Sequence, residues 1–154
     1  MPGKFVHLRL HSEYSLVDGL VRIDALAESV ADAGMPAVAV TDRCNLFALV
    51  KLYQQAGARG IKPVAGVEII VAGDDVGAAG NTLVLLCRDQ AGYRNLARIV
   101  TRSYVEGQGR GAPVVRRAWL AGHTAGLIAL SAAVDGDVGQ ALISNTETER
   151  AFLL

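Results

Sequence analysis

Short apolar runs alternate with segments of helical period along this chain, and that alternation limits it to folds in which helices cover a sheet. "FVHLRL" (5–10) reads as a first strand. In "RIDALAESVADAG" (22–34), Ile23, Leu26, Ala27 and Val30 recur at helical spacing and Gly34 supplies the stop. "PAVAVTD" (36–42) is a continuous apolar run ending in polar residues, the pattern of a strand buried on both faces of a parallel sheet. A second helix is expected from Asn45 as N-cap, with Leu46, Leu49, Val50 and Tyr53 on one stripe, until "GARG" breaks it.

"IKPVAGVEIIVA" (61–72) then reads as a strand with a bend at Gly66, and "GDDVGAAGN" (73–81) as a turn joining it to "TLVLLCRD" (82–89). "QAGYRNLARIVTRSYVEG" (90–107) is helical, with Leu96, Ile99 and Val100 inward and Gly107 as its end. "GQGRGAP" (107–113) is a flexible connection that lacks the strand-before, helix-after setting of a dinucleotide fingerprint. "GLIALSAAV" (126–134) is a further strand. "GDVGQALISN" and "TETERAFLL" begin helices, the latter with Thr146 and Glu149 as a capping box. The order predicts a parallel α/β architecture, either an open sheet or one curled toward a barrel. The chain ends on "AFLL" part-way through a helical pattern, so the front part of a larger protein is expected.

At 154 residues with 51% hydrophobic and 19% charged residues, one domain with a sizeable core is expected rather than disorder. Fifteen basic and fifteen acidic residues cancel, which argues against an overall nucleic-acid footprint. Cys44 and Cys87 lack C-x-x-C spacing, so neither a disulfide framework nor a zinc knuckle is expected and a reducing cytoplasm fits. No apolar run approaches the roughly 20 residues a membrane span needs.

In α/β folds functional residues gather at the carboxyl ends of strands. That rule collects Arg9 and His11 after the first apolar run, Asp18 in the following loop, Asp42 and Arg43 after the second, and Glu68 on the third.

Four blocks in order, "FVHLRLHSEYSLVDGL", "GMPAVAVTDRCNLFALVKLYQQAGARGIKPVAGVEI", "LVLLCRDQAGYRNLARIV" and "GLIALSAAVDGDVG", resemble the polymerase-and-histidinol-phosphatase (PHP) domain that opens the α subunit of bacterial DNA polymerase III. The resemblance runs from about residue 4 to about residue 143. It implies a distorted (β/α)7 barrel of which residues 1–154 are the N-terminal part, with the last strands and the palm, fingers and later domains absent. Active members of such a family hold a metal cluster for phosphoester hydrolysis, and in some polymerases the domain is a 3′–5′ exonuclease.

Carried over position by position, the ligand pattern falls on Arg9, His11, Asp18, Arg43, Glu68, Tyr104 and Ala133. The active pattern would place histidine at 9, 43 and 104 and cysteine or histidine at 133, with a last aspartate–histidine pair beyond Leu154. "HLRLHSEYS" (7–15) therefore lacks the His-x-His of that pattern, because Arg9 is a permanent cation. Two unit charges about 4 Å apart interact by roughly 4 kcal/mol at an effective dielectric of 20, so a guanidinium in a ligand seat repels a divalent ion by at least that order. The expectation is a degenerate site without metal, in which Arg9 and Arg43 pair with Asp18, Asp42 or Glu68.

The resemblance further implies a parent that is a DNA-directed DNA polymerase using Mg²⁺, with DNA bound mainly by later domains and no membrane contact. Its partners would be the rest of the α chain, the proofreading exonuclease subunit, for which this domain would be a scaffold and docking surface, and other replicase subunits. The alternative is a live phosphoesterase, either an exonuclease or a pyrophosphatase or other phosphatase, using Zn²⁺ or Mn²⁺ on His11, Asp18 and Glu68. Cys44 is read as structural rather than catalytic. Arg94, Arg98 and Arg102 are read as a solvated helix face, and Tyr53, Tyr93 and Trp119 as packing residues.

Overall fold

The structure, a computed structural model, describes residues 5–72, 80–109 and 111–144. Its centre is one long strand that changes partners along its length. The elements in chain order are α1 (Ile23–Asp32), β1 (Ala37–Val40), α2 (Leu49–Gly57), β2 (Lys62–Ala72), β3 (Asn81–Cys87), α3 (Gln90–Glu106), β4 (Val114–Arg116), α4 (Arg117–Leu120), β5 (Leu127–Leu130) and α5 (Asp137–Ser144). β1 runs parallel to the first half of β2, Ala37 opposite Lys62, and β4 runs parallel to its second half, Ile70 opposite Val114. β3 lies antiparallel to β2 through Gly66–Val71, and β5 antiparallel to β3.

The sheet is thus mixed, not parallel as the alternating pattern suggested. Only residues 73–80 lie between β2 and β3, enough to reverse a chain into an antiparallel neighbour, whereas a parallel neighbour requires a crossover of about a dozen residues or more. The segment 5–10 is also not a regular strand. His7 bridges Val38, and Ala39 and Thr41 donate backbone N–H groups to the carbonyls of His7 and Leu10 at 2.9 and 2.8 Å. It is an outer strap on β1 with no strand on its far side among the described residues.

Two apolar layers cover one side of the sheet. Ile23, Leu26 and Val30 of α1 meet Leu52 and Ala56 of α2 over Val38 and Val40. Leu96 and Ile99 of α3 pack with Trp119 over Val67, Ile69, Leu85 and Val115. α1 ends as expected, with Gly34 at φ +65° accepting a left-handed turn that a side chain would oppose. α3 is capped by Asp89, whose Oδ1 accepts from the Gly92 N–H at 2.9 Å, and that bond holds the carboxyl below the usual range.

α2 starts four residues later than Asn45. Its inward residues are Ala48, Leu52 and Ala56, while Val50 and Tyr53 are each 69% exposed. The small alanines let the helix lie close to β2, and the bulkier stripe faces outward. Asn45 instead stitches the preceding loop, donating to the carbonyls of Tyr14 and Arg43 and accepting from the Phe47 N–H, each at 3.0 Å. Tyr93 is likewise exposed, so of the three aromatics assigned to packing only Trp119 is buried. β4 and α4 had no sequence signal beyond "VVRRAWL". β5 is shorter than the apolar run 126–134, because Ala132 and Ala133 turn left-handed at φ +54° and +51° and lead into a 3₁₀ turn (Ala133–Asp135). Thr146, Glu149 and the "TETERAFLL" helix lie outside the described residues. Among the described residues no helix is long and apolar enough to cross a membrane.

Two glycines in helices separate packing from propensity. A Cβ at Gly92 would sit 1.9 Å from the Gly126 carbonyl oxygen, where the first turn of α3 presses on the loop before β5. Gly57, closing α2, has open space around it. Gly57→Ala is expected to raise unfolding free energy by about 0.5–1 kcal/mol. Gly92→Ala is expected to lower it by about 2 kcal/mol. Denaturant unfolding followed by circular dichroism checks both, and equal effects would contradict this packing.

Candidate functional site

β2 carries Glu68 at the point where its edge partner changes from β1 to β4. The chain leaving β1 runs alongside, with Glu68 N–H donating to the Asp42 carbonyl at 3.1 Å and Cys44 N–H to the Glu68 carbonyl at 2.7 Å. This places Arg43 beside Glu68, and the outer strap brings Arg9 and His11 to the same spot. Glu68 is 3% exposed, so its carboxylate needs compensation from neighbouring donors.

That compensation is complete on both oxygens. Oε2 accepts from Arg9 Nε at 2.8 Å and faces His11 Nε2 at 3.0 Å, while Oε1 lies 3.6 Å from Arg43 Nε. The other ring nitrogen of His11 is 3.2 Å from Asp18 Oδ2, which also lies 3.6 Å from Arg43 Nη1. Arg9 Nη2 reaches Asp135 Oδ2 at 3.5 Å. Three carboxylates, Asp18, Glu68 and Asp135, therefore surround two guanidiniums and one imidazole. Only a ring protonated on both nitrogens donates to both of its carboxylates. The bond to Glu68 holds the Arg9 guanidinium above its ordinary value.

Asp42 stands apart from this cluster. It is 1% exposed and meets no arginine; its oxygens accept from Ser12 N–H at 2.6 Å, Ser12 Oγ at 2.7 Å and Ser15 Oγ at 2.8 Å. The expected Asp42–arginine pairing is not formed, because three neutral donors of the "HSEYS" loop already satisfy the carboxylate. Ser15 Oγ in turn accepts from the Arg43 N–H at 3.1 Å, so the loop and the strand end are locked together.

The remaining positions of the resemblance lie nearby with less to offer. Tyr104, 38% exposed on α3, lines with Arg43, Cys44 and Phe47 a cavity of about 290 Å³; burial raises its phenol's pKa. Ala133 lies in the 3₁₀ turn that delivers Asp135 to Arg9. Ser12, Ser15 and Asp135 were not found by sequence reasoning. Short hydroxyl side chains in a loop carry no spacing signature, and Asp135 belongs to a 3₁₀ turn more than a hundred residues from its partner Arg9.

The donor set bears on what this place can hold. A divalent ion would need the lone pairs of His11 and Glu68, yet those atoms already face charged partners, and two guanidiniums occupy the surrounding volume. Among the described residues no group of three histidine, cysteine, aspartate or glutamate side chains is arranged to hold a metal ion. Cys44 offers no activated thiol either. Burial pushes it up, and its Sγ donates to the Pro113 carbonyl at 3.5 Å.

The mixed sheet with helices on it defines the class, an α/β domain whose polar cluster sits at a strand end. The same fold occurs in a Bifidobacterium adolescentis protein described as a metal-dependent phosphoesterase, at TM-score 0.51 and 16% identity over 69% of this chain and 35% of that one. The chain belongs to the PHP domain family, whose model matches residues 7–153. It is 47% identical over 154 residues to the DNA polymerase III subunit alpha of Pseudomonas aeruginosa and 41% identical over 140 residues to that of Escherichia coli. These alignments take in 100% and 91% of this chain but 13% and 12% of the relatives, so the chain spans about an eighth of their length.

Two substitutions separate the buried carboxylates. Asp42→Ala strands the Ser12 N–H in a dry setting and is expected to cost about 3 kcal/mol of unfolding free energy. Glu68→Gln leaves two arginines that are more than a third exposed and can turn to water, so about 2 kcal/mol is expected. Urea unfolding checks the order. In a second test, burial and the nearby Asp89 push the Cys87 thiol up to about 11. Alkylation of Cys87 by iodoacetamide should be slow at about pH 8 and accelerate only as pH approaches that value; fast labelling near neutrality would contradict its burial.

Proposed function

We propose that this chain is the N-terminal PHP segment of a replicative DNA polymerase III α subunit and that its PHP site is catalytically silent. The observation that carries the silent-site reading is the pair of guanidiniums on Glu68. Arg9 and Arg43 stand where the active pattern of the resemblance would have histidine ligands, and they supply the buried carboxylate with fixed positive charge. The residues present do not fit a divalent cation. Moreover, a metal-bound water would have no set of lone pairs to fix it against a phosphoester.

The parent protein is a template-directed DNA polymerase of the bacterial cytoplasm, using Mg²⁺ and deoxynucleoside triphosphates in domains outside this chain. Identity of 41–47% over nearly the whole segment supports that reading. The segment is part of a (β/α)7 barrel whose remaining strands come from polypeptide outside it. A groove of about 940 Å³ lined by Val50, Tyr53, Val64, Leu86, Ile128 and Leu130 is the apolar face such strands would cover. Freed from hydrolysis, the barrel serves as a scaffold and as the docking surface for a separate proofreading exonuclease.

His11 does meet both Asp18 and Glu68, which is the one observation favouring a surviving phosphoesterase with Zn²⁺ or Mn²⁺. Elemental analysis together with a nuclease assay decides between the two. The purified chain is expected to carry sub-stoichiometric zinc and manganese and to leave a 3′-labelled oligonucleotide intact in added Mn²⁺. Stoichiometric metal, with cleavage abolished by Glu68→Ala, would overturn the silent-site reading. Primer extension by the longer polypeptide containing this segment tests the polymerase assignment separately.

A further inference from the structure

We infer that the outer face of α3 is a docking surface for an acidic, amphipathic peptide segment of a partner protein. Several arginines elsewhere in the fold have a partner: Arg9 and Arg43 pair with Glu68, Arg102 with Glu106 at 3.1 Å and Arg117 with Asp137 at 2.8 Å, while Arg59 bonds Gln55 and Arg116 faces the Trp119 ring. Arg94 and Arg98, both exposed, make neither an ion pair nor a hydrogen bond among the described residues. They stand one helical turn apart, about 6 Å along the axis, where like charges repel and a carboxylate between them would be favoured.

Beside them runs a shallow groove of about 390 Å³ lined by Ala97, Thr101 and Val105, by Arg98, and by Arg102 with Glu106, whose charges answer each other. Val105 is 77% exposed. An apolar floor at positions i, i+4 and i+8 flanked by cations matches a partner helix or extended segment that presents apolar side chains with carboxylates alongside. Nucleic acid fits less well. The groove holds one hydroxyl, that of Thr101, and a carboxylate, Glu106, that repels phosphate, and Trp119 is buried beneath Arg102 and Arg116 and offers no stacking platform. None of these groove residues belongs to the arginine-filled pocket around Glu68, so the inference stands whether or not that pocket is silent.

Trp119 is the chain's single tryptophan and lies 4.4 Å from the Arg102 guanidinium, so its emission reports on the groove. The test titrates the chain with a synthetic helical peptide of about 14 residues, leucines on one face and glutamates on the flanks, and in parallel with its lysine-for-glutamate counterpart and a short DNA duplex. A saturable emission change is expected with the acidic peptide only, weakened by added salt. The Arg94→Gln/Arg98→Gln double variant should bind about tenfold more weakly with an unchanged thermal midpoint. Val105→Glu, which places like charge in the groove, should abolish binding. Absence of a saturable change, equal binding by the double variant, or preference for the duplex would overturn the inference.

Discussion

A carboxylate 3% exposed in the middle of a strand is costly unless its charge is answered, and the way Glu68 is answered organises this end of the molecule. Its two oxygens draw in Arg9 and His11 from the outer strap and Arg43 from the end of β1, and through them Asp18 and Asp135. Two stretches of chain, the strap and the end of β1, converge on one side chain, and two further carboxylates join through them. The strap's backbone is tied to β1 by the Ala39 and Thr41 N–H groups and to the Thr41 hydroxyl through Leu10, and these ion pairs add side-chain contacts that orient it. Two of the cations remain more than a third exposed, which tempers the energy of each contact; the geometry is set by their number and by the buried acceptor.

Asp42, just past β1 and bonded through its carbonyl to the Glu68 N–H, shows the opposite solution. It is even more deeply buried, yet no cation reaches it, and three neutral donors from the "HSEYS" loop take that role. The two carboxylates divide the work: Asp42 fixes the loop that carries Asp18, and Glu68 gathers the charged side chains that the loop and strap present. Removal of either would therefore disturb the other, since Ser15 links the Asp42 cradle to the backbone of Arg43.

Much of this was legible in the chain. Helices α1 and α3 follow their apolar period and their Gly34 and Gly107 ends closely, because both bury a single stripe against the sheet. The rule that polar residues gather at strand ends collects Arg9, His11, Asp18, Asp42, Arg43 and Glu68, and the folded chain joins all but Asp42 in one network. What misled was local. Apolar Val50 and Tyr53 outweigh in the sequence the alanines that set the face of α2, and the short glycine-rich segment 73–81 leaves no room for a crossover, which makes the strands on either side antiparallel. The serine cradle and Asp135 carried no periodic or spacing signal, so only the folded chain reveals them.

A guanidinium and a divalent ion answer a buried carboxylate in different ways. A divalent ion demands several lone pairs in fixed directions and loses its hold when one is lost, whereas a guanidinium brings its own charge on a covalent tether and needs only one or two carboxylates. With two guanidiniums on Glu68, restoring a metal site would require both to leave together. A single Arg9→His change would leave Arg43 still opposing the ion, and Arg43→His would leave Arg9 bonded to the same oxygen that a metal would need. The pocket is therefore held in its present form by the mutual dependence of its parts.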